Sequence, residues 1–244
     1  MENLMRSSQC PRTNEQKIIL QEGLVDIMRN RFEKQLLRLN QEMIEMGSLC
    51  EEMITAASKI VATRDKELMA DIQGMEEEIN QKERDIERIC LKLLMQQQPV
   101  ATDLRVISAA LKMVSDMERI GDQACDITGI IKKDAAVLNL KENTHLDKMA
   151  KATIHMVSRS IRSFIKQNLG LAREVIDQDD LVDELFKQVK KESITLIHED
   201  PEKGEEYVAI VLIAKYFERI GDHASNIAEW VEFAITGEYK GGSL

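Results

Sequence analysis

An all-α fold is predicted, built as two tandem three-helix bundles related by an internal repeat, and three observations carry that prediction. The pentapeptide Glu-Arg-Ile-Gly-Asp occurs at residues 118–122 and again at 218–222, and its flanks also agree at Ala124 with Ala224 and Ile127 with Ile227. The spacing of 100 residues is too long for a solenoid unit and suits one small domain. Composition is the second observation: three Pro and eleven Gly in 244 residues, with a surplus of Leu, Ile, Met, Ala, Glu and Lys, is helical usage. The third is apolar spacing. Phe32, Leu36, Leu39, Met43, Met46, Cys50, Met53, Ala57 and Ile60 alternate steps of four and three, a heptad seam.

Residues 1–27 do not share this grammar and are expected to be a non-conforming extension. Pro11-Arg12-Thr13-Asn14 breaks periodicity, and the run Ile18-Ile19-Leu20 lacks the length and the cleavage site of a signal peptide. Translation is expected to begin at Met28, a start that the codons for Gln21-Glu22-Gly23 would suit if they formed a purine-rich ribosome-binding stretch. The first repeat is placed at 28–138. Its long first helix ends near Thr63-Arg64-Asp65. A short helix over 65–73 and a break at Gly74 lead to a second long helix with Ile79, Ile86, Ile89, Leu93 and Leu94 inward. Pro99 stops it and presets the next start. A third helix, 101–138, carries Met113, Met117, Ile120, Ala124, Ile127 and Ile131 on one face, so the pentapeptide lies mid-helix.

Residues 139–146 are the linker, and 147–236 repeat the pattern. A helix over 147–167, a short one over 171–176, a long one over 180–198 and a last one over 202–236 are expected, with a tail at 237–244. Pro201 turns the chain as Pro99 does. Short connections make neighbouring helices antiparallel, and two modest cores are expected rather than one large one.

A formal charge of −10 disfavours nucleic acid, which is bound through clustered Lys and Arg. No run approaches the roughly 20 apolar residues of a membrane-spanning helix. Cys10, Cys50, Cys90 and Cys125 form no Cys-x-x-Cys pair and read as small hydrophobes of a reducing cytoplasm.

Helix spacing of four stacks Glu118, Asp122 and Asp126 in one file, and Glu218, Asp222 and Asn226 in a second. Each file flanks the apolar seam, so its like charges are partly desolvated, a cost that a cation would remove. Oxygen-only donors suit Mg, Ca, Mn or Fe better than copper. Gly121 and Gly221 sit beside the acids mid-helix, where glycine costs about 1 kcal/mol relative to alanine, and suggest close helix packing. Alternatively, Arg119 and Arg219 pair with the carboxylates and the files are structural. Asp183 and Asn80, at matching places in the second helix of each repeat, are further candidate ligands, although their position near the helix start is not obviously level with the motif. Asp103 and Arg105 read as ordinary N-terminal helix residues. His223 replaces Gln123 of the other copy, which argues against a required histidine ligand. The sole Glu-x-x-His, Glu142 to His145, falls in the linker, which argues against a di-iron oxygenase. No glycine-rich phosphate loop or nucleophile constellation is present.

The duplicated pentapeptide, the Gln98-Pro-Val-Ala-Thr-Asp-Leu-Arg105 start of the third helix and the six-helix layout resemble the PhoU family from Met28 onward. That resemblance implies a pseudo-twofold pair of three-helix bundles whose Glu/Asp-x-x-x-Asp motifs hold metal ions or clusters. By the same resemblance Glu118, Asp122, Glu218 and Asp222 match the metal motif, extended by Asp126 and Asn226, with Asn80 the weaker counterpart of Asp183. The expected cofactor is a carboxylate-bound divalent or iron-type ion: Fe, Mn, Mg or Zn. The implied role is a cytoplasmic, non-enzymatic negative regulator of phosphate uptake. It would act between the ATP-binding subunit of the phosphate ABC transporter and a phosphate-sensing histidine kinase, reach the membrane only through these partners, and form homodimers. The alternatives are a metal-dependent hydrolase of the phosphatase kind and a plain helical adaptor without metal.

Overall fold

A computed structural model describes residues 14–96, 99–133, 144–239 and 242–243, with side chains described from Arg29 onward. Six α-helices follow one another: α1 (Asn14–Thr63), α2 (Lys66–Gln96), α3 (Ala101–Lys133), α4 (Thr144–Lys166), α5 (Leu169–Glu199) and α6 (Gly204–Thr236). A single 3-10 turn, Pro201–Lys203, precedes α6. A two-residue ladder, β1 (Glu238–Tyr239) against β2 (Gly242–Ser243), follows it.

Helices α1 to α3 make the first bundle and α4 to α6 the second, as the repeat predicts. The duplication is visible in the way helices end. Arg64 closes α1 at φ 58° and Gln167 closes α4 at φ 47°, two left-handed terminators 103 residues apart. At the start of α3, the Asp103 carboxylate accepts a hydrogen bond from the Val100 backbone N–H at 3.4 Å, one half of a capping box, in keeping with its N-terminal role. At the end of α6, Gly237 adopts φ 82° and lets Tyr239 fold back to stack on Trp230 at 4.2 Å.

The structure corrects three expectations. Helix α1 already runs from Asn14, so residues 14–27 continue the helix instead of standing apart; residues 1–13 lie outside the described region. Neither α2 nor α5 is broken. Gly74 is exposed with open space where a side chain would go, and one such glycine weakens a helix by about 1 kcal/mol without ending it while Met69, Ile72 and Ile79 are buried on either side. Two separate cores are not formed: one apolar cluster runs from Phe32 through Ile120 and Phe164 to Val231. The end of α3 beyond Lys133 and most of the linker lie outside the described residues.

The seam that fuses the bundles is α3 against α6, running antiparallel. Arg105 lies against Gly237, Ala109 clusters with Phe233, Asp116 meets His223 and Asn226, and Asp126 meets Tyr216, so positions climb on one helix as they fall on the other. Gly121 and Gly221 are therefore level at the middle of the seam. A second contact joins α1 to α4, where a methyl on Gly47 would come within 2.7 Å of Ile161.

Because the core is continuous, Ile220→Ala in the fully buried seam should cost about 2–5 kcal/mol and lower the midpoint of one cooperative transition. Two calorimetric transitions, with only the second repeat destabilised, would contradict this.

Candidate functional site

The acids of repeat two assemble on α5 and α6. Asp179 and Asp183 are four apart on α5, and Glu218 and Asp222 are four apart on α6, so each helix presents a carboxylate pair on one face. They meet because Val182, between the α5 acids, packs under Gly221, between the α6 acids. Burial and the negative charges of Asp222, Asp183, Asp180 and Glu218 push the Asp179 carboxyl from an ordinary 3.8 up to about 6. Burial, with Asp183 adding repulsion, also raises Asp222. Lys215 opposes this most, with smaller help from His223 and Arg219, and its Nζ pairs with Glu218 and approaches the Phe186 ring.

Repeat one has the same frame with different occupants. Ile79 packs under Gly121, and Glu76 and Asn80 on α2 stand where α5 has Asp179 and Asp183. Burial first, then Asp122, raises the Glu118 carboxyl, with Glu76 adding repulsion. Glu83, one turn further along α2, is raised by burial and by Glu118. Here an arginine intervenes: Arg119 reaches Asp122 at 2.9 Å and Glu118 at 3.4 Å. Cys125 Sγ donates to Glu76 Oε2 at 3.1 Å. Burial and that carboxylate push the thiol up to about 12, which keeps it protonated and unreactive at neutral pH.

The structure thus brings Glu218, Asp222 and Asp183 together, and Glu118, Asp122 and Asn80 into the matching frame. Asp183 and Asn80 are level with the motif because α2 and α5 each run on as one helix, which puts both residues well inside it. Asp126 and Asn226 are not brought to the acids. Two steps of four residues carry a side chain about 80° around the helix, which turns these two into the α3–α6 seam. There the Tyr216 phenol meets Asp126, and Asn226 Nδ2 donates to Asp116 Oδ1 at 3.4 Å. His223 also faces the seam, 2.9 Å from Asp116. Sequence reasoning missed Asp179 and Glu76. Their signals are Asp179-x-x-x-Asp183, which a helix break read at 177–179 concealed, and Glu76-x-x-x-Asn80, which went unread although both residues fall in the helix expected after Gly74.

Among the described residues no three His, Cys, Asp or Glu side chains converge on one point as they would around a bound metal. Their chemistry nevertheless fits one. Four hard oxygen donors share a half-buried place and repel one another, and a Cβ on Gly221 would be in van der Waals contact with Asp179 Oδ1 at 3.5 Å. Asp179, Asp183, Glu218 and Asp222 are the residues that could hold a divalent ion. In repeat one, Glu76, Glu118 and Asp122, with Asn80, are the weaker set because Arg119 already neutralises two of them.

The fold and the site together define a duplicated helical-bundle protein with an acidic site in each half. The PhoU domain family matches residues 43–131 and 146–231, and the chain belongs to that family. The phosphate-specific transport system accessory protein PhoU homolog of Clostridium acetobutylicum is 33% identical over 86% of this chain and 96% of its own length. That of Aquifex aeolicus is 36% identical over 76% of this chain and 84% of its own length. The crystal structure of PhoU from Pseudomonas aeruginosa superimposes with a TM-score of 0.80 at 30% identity, covering 84% of this chain and 99% of that one. That of the phosphate transport system regulatory protein PhoU from Streptococcus pneumoniae gives 0.74 at 28% identity, covering 85% and 98%. These relatives carry accessory and regulatory names, not enzyme names, and membership of their family supports a role in phosphate-transport regulation. Among the described residues no helix is long and apolar enough to cross a membrane.

The raised Asp179 carboxyl has a definite sign. Between pH 4 and 6 the unfolded chain loses this proton while the native state keeps it, so the contribution of Asp179 to metal-free stability is fully present below about pH 4 and is lost as pH rises through about 6. Discounted for partial solvent exposure, the effect is about 1–2 kcal/mol. Asp179→Asn should therefore stabilise metal-free protein by that amount at pH 7.5 and by little at pH 4. Urea unfolding at both pH values checks it; equal effects would contradict the cluster.

Proposed function

We propose that this chain is a metal-binding negative regulator of phosphate uptake and of phosphate-starvation signalling. On this reading it couples the ATP-binding subunit of the phosphate transporter to a phosphate-sensing histidine kinase, works in the cytoplasm, and acts as a homodimer. The observation that carries the metal half of the reading is the juxtaposition of Asp179 and Asp183 with Glu218 and Asp222, where burial and mutual repulsion lift Asp179 to about 6. The phosphate half is supported by family membership and by the names of the relatives.

When bound, a divalent ion would supply the positive charge that four facing carboxylates lack. The protein's own part is to hold those acids at fixed height: Val182 under Gly221 sets the α5–α6 register, and Lys215 holds one oxygen of Glu218. A Cβ at Gly221 would touch Asp179 Oδ1 and so restrict how that carboxylate can turn. The loaded site would lock α5 to α6, the helix that packs on α3 of repeat one, and so stiffen the surface offered to partners.

A second reading applies to repeat one alone. The contacts of Arg119 with Glu118 and Asp122 make that half a structural ion-pair network, with the regulatory ion confined to repeat two.

Elemental analysis of protein purified without chelator should find metal in the wild type and a loss on Asp179→Asn with Asp222→Asn. Gly221→Ala separates function from folding: the metal-free variant gains up to about 1 kcal/mol from helix propensity, yet its melting temperature rises less than that of the wild type on adding Mn²⁺. In cells, loss of the gene should raise phosphate accumulation or derepress starvation genes, and the Asp179→Asn, Asp222→Asn pair should fail to restore control. Full restoration by that pair would refute the metal reading while leaving phosphate regulation intact.

A further inference from the structure

Helix α4 is the basic exception in an acidic protein. It holds Lys148, Lys151, Arg159, Arg162 and Lys166 against the single acid Asp147, a net +4 that leaves −14 on the rest of the chain. The apolar face of α4 is buried through Leu146, Met149, Ala150, Met156, Val157, Ile161 and Phe164, so its cations are confined to the opposite side. Lys148, Lys151, His155, Arg159, Arg162 and Lys166 succeed one another by three or four residues and form one file, about 27 Å long at 1.5 Å per residue.

The scaffold does not require this file. With the terminators Arg64 and Gln167 aligned, the same positions on α1 are Glu45, Ser48, Glu52, Ala56, Lys59 and Thr63, which fold into an equivalent helix with a mixed face. Nor do neighbouring acids consume it. Arg159 pairs with Glu174 and Lys151 with Asp147, but Lys148, Arg162 and Lys166 are exposed and reach no carboxylate among the described residues. On the α1 side, Glu42 and Glu45 are taken by Lys82 of α2.

We infer that the exposed face of α4 is a docking site for an acidic helix of a partner protein. The cations recur at intervals of one or two helical turns, as Glu or Asp can along one face of a facing helix, so the two files can match charge for charge. The file is one side chain wide and bordered on the α5 side by Glu174, which meets Arg159, with Asp177 exposed beside Gln178, the partner of His155. A flat anionic membrane would meet those acids together with the cations; a rod meets the cations alone.

The test uses the full-length protein and two fluorescein-labelled, alanine-rich helical peptides of equal composition. One carries Glu at every third or fourth position along one face, and the other has the same Glu residues dispersed around the helix. Fluorescence anisotropy at low salt should show about tenfold tighter binding of the aligned peptide, weakening with added salt. The Lys148→Ala, Arg162→Ala, Lys166→Ala variant should lose about tenfold, whereas Lys187→Ala, Lys190→Ala, Lys191→Ala on α5 should keep wild-type affinity. Circular dichroism should give both variants the wild-type melting curve, which keeps a folding defect from imitating lost binding. Absent or equal binding of the two peptides, or an equal loss in the α5 variant, would overturn the proposal. So would binding of the protein to phosphatidylglycerol vesicles, abolished by the α4 variant, without binding of the aligned peptide.

Discussion

Like charges held close on rigid helices are the constraint around which this structure is arranged. Exposed carboxylates can turn away into water, but Asp179, Asp183, Glu218 and Asp222 are fixed in height by helices whose other faces are committed to the core. Val182 and Gly221 lock that height, and the site sits beside a seam too tightly packed to slide. The resulting repulsion works against folding at neutral pH, and a cation is the simplest partner that would turn the cost into binding energy.

The duplication explains why there are two such places, and divergence explains why they differ. Both repeats keep the glycine and the branched residue beneath it, Ile79 or Val182, which fix backbone geometry. What changed is the neutralising chemistry. Repeat one substitutes Asn80 for an acid and lays Arg119 across its pair, while repeat two keeps four acids and one lysine. The seam diverged too: Asp116 meets His223 and Asn226 on one side of its pseudo-twofold, and Tyr216 meets Asp126 on the other. His223 stands close enough to influence both Glu118 and Asp222, so the two acidic sites share an electrostatic neighbour.

The helical class, the repeat, the inward faces and the acid pairs of α3 and α6 were legible because they depend on local periodicity. Phe32 to Ile60 and Met113 to Ile131 announce their buried faces by spacing alone, and the mid-helix glycines pointed correctly to close packing beside the acids. Less legible was whatever depends on which helices touch. Asp179 and Glu76 lie on helices that a glycine and a run of acids made look broken, and their value comes from standing opposite another helix. Asp126 and Asn226 looked like continuations of a file, but the 40° drift per four-residue step in an α-helix turns them to a different neighbour. The single core depends on the α3–α6 register, which no local pattern encodes.

The most direct measurement of the central claim is calorimetric titration of metal-free protein with Mn²⁺ at a series of pH values. If Asp179, Asp183, Glu218 and Asp222 bind the ion together, Asp179 must give up its proton, so affinity should rise as pH passes through about 6 and level off above it. Near pH 6, buffers of different ionisation heat should report about half a proton released per ion. Binding with no pH dependence and no proton release, or no binding at neutral pH, would contradict the account.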